Sequence, residues 1–117
     1  FATLASAGIN LIVDDVIYDP QVLQLAVKHL ADLPVLFVGL HCPVEEAMRR
    51  EVVRGDRAPG GAAIFHGLVH RRGVYDLELD TAQLSPAECA EQIQAALQRQ
   101  PPQTAFVQLG AQSRLSV

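Results

Sequence analysis

Four arginines fall within one short stretch of the chain, RREVVRGDR at positions 49–57. Arg50, Arg54 and Arg57 are spaced by four and three residues, so on a continuous helix their side chains would share one face. Each guanidinium presents a planar fork of donors that suits phosphate oxygens, and glycines at 55, 60 and 61 would let the segment close over a ligand. The pattern predicts a phosphate-binding lid. A second interpretation stays open, a solvated basic helix end in which Glu46 is a surface neighbour of Arg50.

A pair of carboxylates, Asp14 and Asp15, follows the apolar run INLIV. In open parallel sheets, ligands gather at the carboxyl ends of the strands. A carboxylate in that place can hold a magnesium ion or its waters, as in P-loop proteins. Asp14 is therefore a candidate metal ligand, although a pair of aspartates that simply caps a loop would give the same pattern.

Two histidines, His66 and His70, are four residues apart. The spacing would suit one metal ion, but Gly67 and Leu68 follow His66 where an HExxH motif has its glutamate, and no third ligand is evident. We therefore expect no zinc site, and a substrate-facing, pH-sensitive or plain surface histidine instead. The sequence also contains neither a G-x-x-x-x-G-K-[ST] loop nor a G-x-S-x-G motif.

The elements that would position these residues alternate between strands and helices. Buried strands are predicted at residues 9–14 and 34–40, an edge strand at 75–80, and one further strand at 105–109. Helices are predicted at residues 20–31, 43–54 and 85–99, with a weaker indication at 62–70. Asp19 before Pro20, and Ser85 with Glu88, supply the expected amino-terminal caps. We expect an α/β fold with a three-layer parallel sheet to which an upstream strand or two belongs.

Composition limits the function further. Half of the 117 residues are hydrophobic, enough for one modest core, and no apolar run approaches the length of a membrane span. A net charge of −4 disfavours nucleic acid as the main partner, and six of the nine basic residues lie between positions 49 and 72. Cys42 and Cys89 lack metal or redox spacing and suit a reducing cytoplasm. These features indicate a cytoplasmic protein with a local anion site and no membrane partner.

Residues 5–97 resemble the chloramphenicol phosphotransferase family of P-loop kinases. The similarity lies in the blocks ASAGINLIVDDV, LPVLFVGLHC, RREVVRGDR and VHRRGVYDLELDT, in that order. It implies that residues 1–100 are the carboxyl-terminal part of a P-loop kinase domain with a lid at about 49–62, and that 101–117 form a tail. The implied reaction is ATP- and magnesium-dependent phosphorylation of a hydroxyl on a chloramphenicol-like small molecule, as in antibiotic resistance.

The same resemblance implies roles for particular residues. Arg50, Arg54 and Arg57 would contact the nucleotide phosphates, and Arg54 and Arg57 would also steady the transferring phosphoryl group. Asp14 would be the Walker-B-type metal ligand, and Asp15 and His70 would lie on the substrate side. In this family the base and the P-loop lie upstream, so this chain alone is expected to be inactive. Two alternatives remain open, a truncated, non-catalytic interaction module and a related kinase for another metabolite. The oligomeric state also stays open, and a homo-oligomer is one candidate.

Overall fold

The structure is a computed structural model, and it describes residues 1–99 and 104–115. Its helices are α1 (Ala2–Ser6), α2 (Pro20–Leu30), α3 (Val44–Arg54), α4 (Gly61–Val69), α5 (Pro86–Leu97) and α6 (Ala105–Leu115). Its strands are β1 (Val38–His41) and β2 (Leu77–Asp80). Across the described residues the fold is α/β, as predicted, with a small parallel sheet of two strands.

Strands β1 and β2 are parallel and in register, with Val38 beside Leu77 and His41 beside Asp80. Parallel strands need a long crossover, and here α3 and α4 form it. Leu79, at the centre of β2, is the most deeply buried large side chain of the described part of the chain. Because the strands run the same way, their carboxyl ends meet at one edge of the sheet.

Side-chain caps begin two of the helices that were predicted from sequence, α2 and α5. The Asp19 carboxylate accepts a hydrogen bond from the backbone amide of Gln21 at the start of α2. Ser85 and Glu88 form a complete capping box at the start of α5. Each of these caps satisfies amides that would otherwise lack partners in the first turn. Helix α4 forms although Gly67 lies inside it.

The hydrophobic core lies between α2 and α6. Leu23 and Val27 from α2 pack with Phe106 and Leu109 from α6, and all four are buried. The ring of Phe37, just before β1, meets the ring of Phe106 edge-on at 5.0 Å between centroids. Helix α6 thus joins the sheet to α2.

The strand predicted at residues 105–109 is wrong, because these residues begin α6. Two features favour the helix. Residues 105, 106 and 109 are the buried ones, a spacing that matches one helical face. In addition, the carboxylate of Asp76 accepts hydrogen bonds from the backbone amides of Thr104 and Ala105, at 2.7 and 2.9 Å, which caps the first turn.

The strand predicted at residues 9–14 is also wrong for this structure, where the segment is irregular. A strand requires a neighbour that completes its backbone hydrogen bonds, and within the described residues only β1 and β2 pair. Ile9, Val13 and Val16 are accordingly half-exposed, and Ile12 is fully exposed. The other two strands are shorter than predicted, 38–41 in place of 34–40 and 77–80 in place of 75–80.

Candidate functional site

The candidate site lies at the carboxyl edge of the sheet, where helix α3 begins after β1. Thr81 follows β2 directly and binds the end of β1 twice: its backbone amide and its hydroxyl both donate to the carbonyl oxygen of His41, at 2.9 and 3.1 Å. The two strand ends are therefore held together at a single carbonyl. This is the edge at which ligands bind in open α/β sheets.

Arg50 connects α3 to that edge. Its Nη1 donates to the hydroxyl oxygen of Thr81 at 3.1 Å, and its Nη2 donates to the carbonyl oxygen of the same residue at 2.8 Å. Its Nε donates to Glu46 one helical turn earlier, at 2.8 Å. All three nitrogens of this guanidinium thus have protein acceptors.

Glu46 is shared between two arginines. Arg49 donates to both carboxylate oxygens at 2.7 Å, and Arg50 donates to one of them. Hydrogen bonds from Arg49 first, and from Arg50 second, lower the pKa of Glu46 to about 2. The carboxylate therefore stays ionised through the physiological range and holds both side chains along α3.

The arginine face predicted from spacing is only partly present. Helix α3 ends at Arg54, and Gly55 takes a left-handed conformation with φ of 63° at its carboxyl-terminal cap. Glycine adopts this conformation without the steric cost that a side chain adds. Arg57 therefore lies beyond the helix, and the prediction that it shares a helical face with Arg50 and Arg54 is wrong. Arg54 donates to Asp56 at 2.9 Å across this turn, and Arg57 is exposed in the loop that follows.

Glu51 connects α3 to the start of α4 within the segment predicted as a lid. Its two carboxylate oxygens accept hydrogen bonds from the backbone amides of Gly60 and Ala62, each at 3.0 Å. These amide bonds lower the pKa of Glu51. Because the Glu51 carboxylate already accepts from these two amides at the amino terminus of α4, they are not available to another anion. Glu51 thus makes α3, the turn and α4 one connected hairpin.

His70, at the carboxyl-terminal end of α4, contacts the sheet. Its Nε2 lies 3.1 Å from the carbonyl oxygen of Leu40 and its Nδ1 lies 2.6 Å from the hydroxyl of Tyr75. A carbonyl only accepts, so the neutral ring carries its proton on Nε2 and Tyr75 donates to Nδ1. The His41 ring stacks on His70 with centroids 4.0 Å apart, and His41 donates to Glu78 at 3.0 Å. Burial first, and the neighbouring His41 second, lower the pKa of His70.

The two aspartates lie outside this group. Asp15 accepts a hydrogen bond from the backbone amide of Val16, and both Asp14 and Asp15 are exposed. Among the described residues, no hydrogen bond or ion pair joins either aspartate to an arginine. The segment does reach the lid, because the rings of Tyr18 and Phe65, in α4, lie 5.1 Å apart.

The residues present do not form a complete site for ATP and magnesium. Within residues 1–99 and 104–115, no three His, Cys, Asp or Glu side chains gather as they would around a metal ion. The sequence also lacks the P-loop, whose backbone, lysine and hydroxyl hold phosphates and metal in P-loop enzymes. The described residues do provide a hairpin of α3 and α4 that carries four arginines, of which Arg50 contacts the sheet edge.

Several residues of the site were missed by sequence reasoning. Thr81, Glu51 and Tyr75 had no assigned role, although all three lie within the blocks that carried the resemblance. Their roles depend on partners 5 to 40 positions away in the sequence, and for Tyr75 also on ring packing. The VYDLELDT block could have indicated Tyr75 and Thr81, since it contains β2 and follows α4.

The described residues form an α/β fold in which an arginine-rich helical hairpin contacts the carboxyl edge of a parallel strand pair through Arg50. Residues 1–98 match the family described as chloramphenicol phosphotransferase-like protein, and the chain belongs to that family. This confirms the resemblance found in the sequence blocks.

Two curated relatives share 37% identity with this chain over 102 residues. Both come from Mycobacterium tuberculosis, one from strain CDC 1551 / Oshkosh and one from strain ATCC 25618 / H37Rv. The matched region covers 87% of the chain and 45% of each relative, and both relatives carry the name "Putative O-phosphotransferase". The chain thus spans about half the length of the curated relatives it matches. No solved structure matches it significantly. None of the helices described is both long and apolar enough to cross a bilayer.

Proposed function

We propose that this chain is the lid-bearing half of a P-loop phosphotransferase that moves the terminal phosphoryl group of ATP to a hydroxyl on a small molecule. The observation that carries the proposal is the position of α3, whose first turn lies at the carboxyl edge of the parallel strands and whose last residue is Arg54. Family membership and the relatives' name, O-phosphotransferase, support the reaction class.

Arg54 and Arg57 carry the chemistry in this proposal. Phosphoryl transfer spreads negative charge over the equatorial oxygens, and catalysis consists mainly of positioning and charge stabilisation. Arg54 at the end of α3 and Arg57 in the exposed turn would supply that stabilisation from the lid. Asp14 would lie towards the metal and Asp15 towards the acceptor. The cradle for the nucleotide, with magnesium, and the base for the hydroxyl proton would come from outside this chain, in a larger three-layer sheet.

The acceptor in this proposal is a hydroxylated small molecule, with chloramphenicol as the first to test. The full-length protein would be incubated with ATP, magnesium and chloramphenicol, and then with a panel of simple hydroxylated metabolites. Mass spectrometry would identify a product heavier by one phosphoryl group. If a metabolite gives a product and chloramphenicol does not, the proposed role changes from antibiotic resistance to metabolism. The absence of product from every acceptor, together with no heat of ATP–magnesium binding in calorimetry, would overturn the proposal.

The lid's role has its own test. Removing one preorganised charge donor typically lowers kcat by about 100-fold or more, so we expect Arg57→Ala to do so. The matched control is Arg99→Ala, which removes an exposed arginine just after α5. Equal kcat values for both variants would show that Arg57 takes no part in the reaction.

A non-catalytic interaction module is a second candidate, and the exposed apolar segment at residues 9–16 favours it. Large exposed apolar patches mark surfaces that bind other chains. Calorimetry distinguishes the two functions, since an interaction module would bind no ATP–magnesium in its full-length form.

A further inference from the structure

Arg50 and Arg54 lie on one helix but have different surroundings. Arg54, with its side chain 61% exposed, forms one surface ion pair with Asp56. Arg50 is less exposed and directs its guanidinium inwards, to Thr81 and Glu46. A phosphate that bound Arg50 would have to break bonds to the end of β2, whereas a phosphate that bound Arg54 would displace only a surface carboxylate.

The contacts of Arg50 continue into the sheet. Arg50 binds Thr81 through both the hydroxyl and the carbonyl, and the same hydroxyl donates to the carbonyl of His41. One side chain therefore couples α3 to the ends of β1 and β2 together. The bonds are charge-assisted, and two nitrogens of the guanidinium each bind a different oxygen of Thr81, so the contact is directional.

We infer that Arg50 is a positioning residue for the proposed reaction, one that docks α3 on the strand ends through Thr81 and so sets where Arg54 and Arg57 are held, without binding phosphate itself. The inference rests on the proposed function for its catalytic consequence, whereas the Arg50–Thr81 contact rests on geometry alone. It replaces the role of phosphate ligand that the family resemblance implied for Arg50.

The test uses Arg50→Lys, Thr81→Val and the double variant in the full-length protein. Lysine keeps the charge but loses the fork that binds Thr81, and valine keeps the shape of threonine without its hydroxyl. We expect each single variant to lower kcat by about tenfold with KM for ATP changed less than about twofold, since a displaced lid weakens transition-state contacts more than ground-state ones. The double variant should lose less than the product of the two single losses, because both single variants remove the bond between Arg50 and the Thr81 hydroxyl.

Arg49→Lys is the matched control. Arg49 shares Glu46 with Arg50 and lies next to it, but its guanidinium bonds only to that carboxylate and not to Thr81. We expect this variant to keep wild-type kcat and KM. A direct phosphate contact predicts the opposite pattern, in which Arg50→Lys raises KM for ATP by about tenfold and Thr81→Val changes nothing. That pattern, or additive losses in the double variant, would overturn the inference.

A second measurement needs no catalysis. Without nucleotide, backbone amides of residues 44–54 should exchange with deuterium faster in Arg50→Lys and Thr81→Val than in the wild type or in Arg49→Lys. Unchanged exchange in both variants would show that the Arg50–Thr81 contact does not hold α3, and would overturn the inference. If the wild-type protein transfers no phosphate to any acceptor, the proposed function fails, and the contact is then decided by these exchange rates alone.

Discussion

The ring of Tyr75 lies directly against the backbone of Gly39, and a Cβ atom at residue 39 would be 2.8 Å from two of the ring carbons. Real Cβ contacts are almost never so short, so the ring occupies the space that a side chain on β1 would need. The packing puts the Tyr75 hydroxyl within reach of His70. Gly39 thus permits the contact through which the end of α4 is attached to the sheet.

We therefore expect Gly39→Ala to destabilise the protein by about 1–3 kcal/mol, the usual cost of forcing an added methyl group into a packed site. Unfolding in urea would measure this loss. Gly67→Ala is the control, because residue 67 lies in α4 with open space where its Cβ would be. Exchanging glycine for alanine inside a helix should stabilise by about 0.5–1 kcal/mol. Equal effects of the two variants would contradict the proposed packing.

The carboxylate of Glu51 holds the turn between α3 and α4 through two backbone amides. Glu51→Gln leaves only one accepting oxygen, so one of the amides of Gly60 and Ala62 loses its partner. We expect amide exchange at residues 60–64 to accelerate several-fold, and to be unchanged in Glu91→Gln, which alters an exposed residue of α5. If the amides of residues 60–64 exchange at the same rate in the two variants, Glu51 does not hold this turn.

Burial and the neighbouring His41 lower the pKa of His70 below its ordinary value of 6.5. Protonation is then harder in the folded protein than in the unfolded chain, so the stability that His70 contributes is complete above pH 6.5 and declines as the pH falls below it. His41, His66, Tyr75 and Glu78 are the titratable groups around the ring. His70→Asn should reduce the slope of unfolding free energy against pH below about pH 6.5.

Tyr75→Phe separates the titration from the hydrogen bond. It removes the hydroxyl that donates to His70 but keeps the ring and the titrating imidazole. We expect a loss of about 0.5–1.5 kcal/mol at pH 7, with a pH dependence that is retained. If His70→Asn keeps the wild-type slope of unfolding free energy against pH, a group other than His70 causes the pH dependence.

Asp76 joins three separate stretches of the chain. One carboxylate oxygen accepts from the amide of Phe37 at 2.8 Å, and the other accepts from the amides of Thr104 and Ala105. Asp76→Asn keeps one accepting oxygen and should cost about 1–3 kcal/mol, because at least one amide of the strand start or of α6 is left unpaired. Urea unfolding compared with Asp32→Asn, an exposed aspartate, would show whether the loss is specific.

Sequence reasoning succeeded where a short local signal decides the structure. The helices that begin after Asp19, Pro43 and Ser85 lie where they were predicted, because their caps and prolines act within one turn. It failed where the deciding partner is distant. Residues 105–109 form a helix because of Asp76 and the surface of α2, and residues 9–14 form no strand because none of the described strands pairs with them.

The same division applies to the site. The concentration of arginine near residues 49–57 was readable from sequence, and Gly55 also signalled the end of the helix before Arg57, as glycine commonly does just after a helix. The prediction of a continuous arginine face did not take this signal into account. The inward direction of Arg50 could not be read, since Thr81 lies 31 positions away in sequence and becomes a neighbour only when β2 pairs with β1.

The Arg54–Asp56 pair has a consequence for selectivity among anions. Both side chains are more than half exposed, so their attraction is weak and easily exchanged. An anion that binds Arg54 must compete with a carboxylate of single charge already in place. A doubly charged phosphate wins this competition more readily than a singly charged one, and added salt opposes both. In the proposed function, Asp56 would act as a resident counter-ion to Arg54 and would favour the most highly charged end of the molecule that binds there.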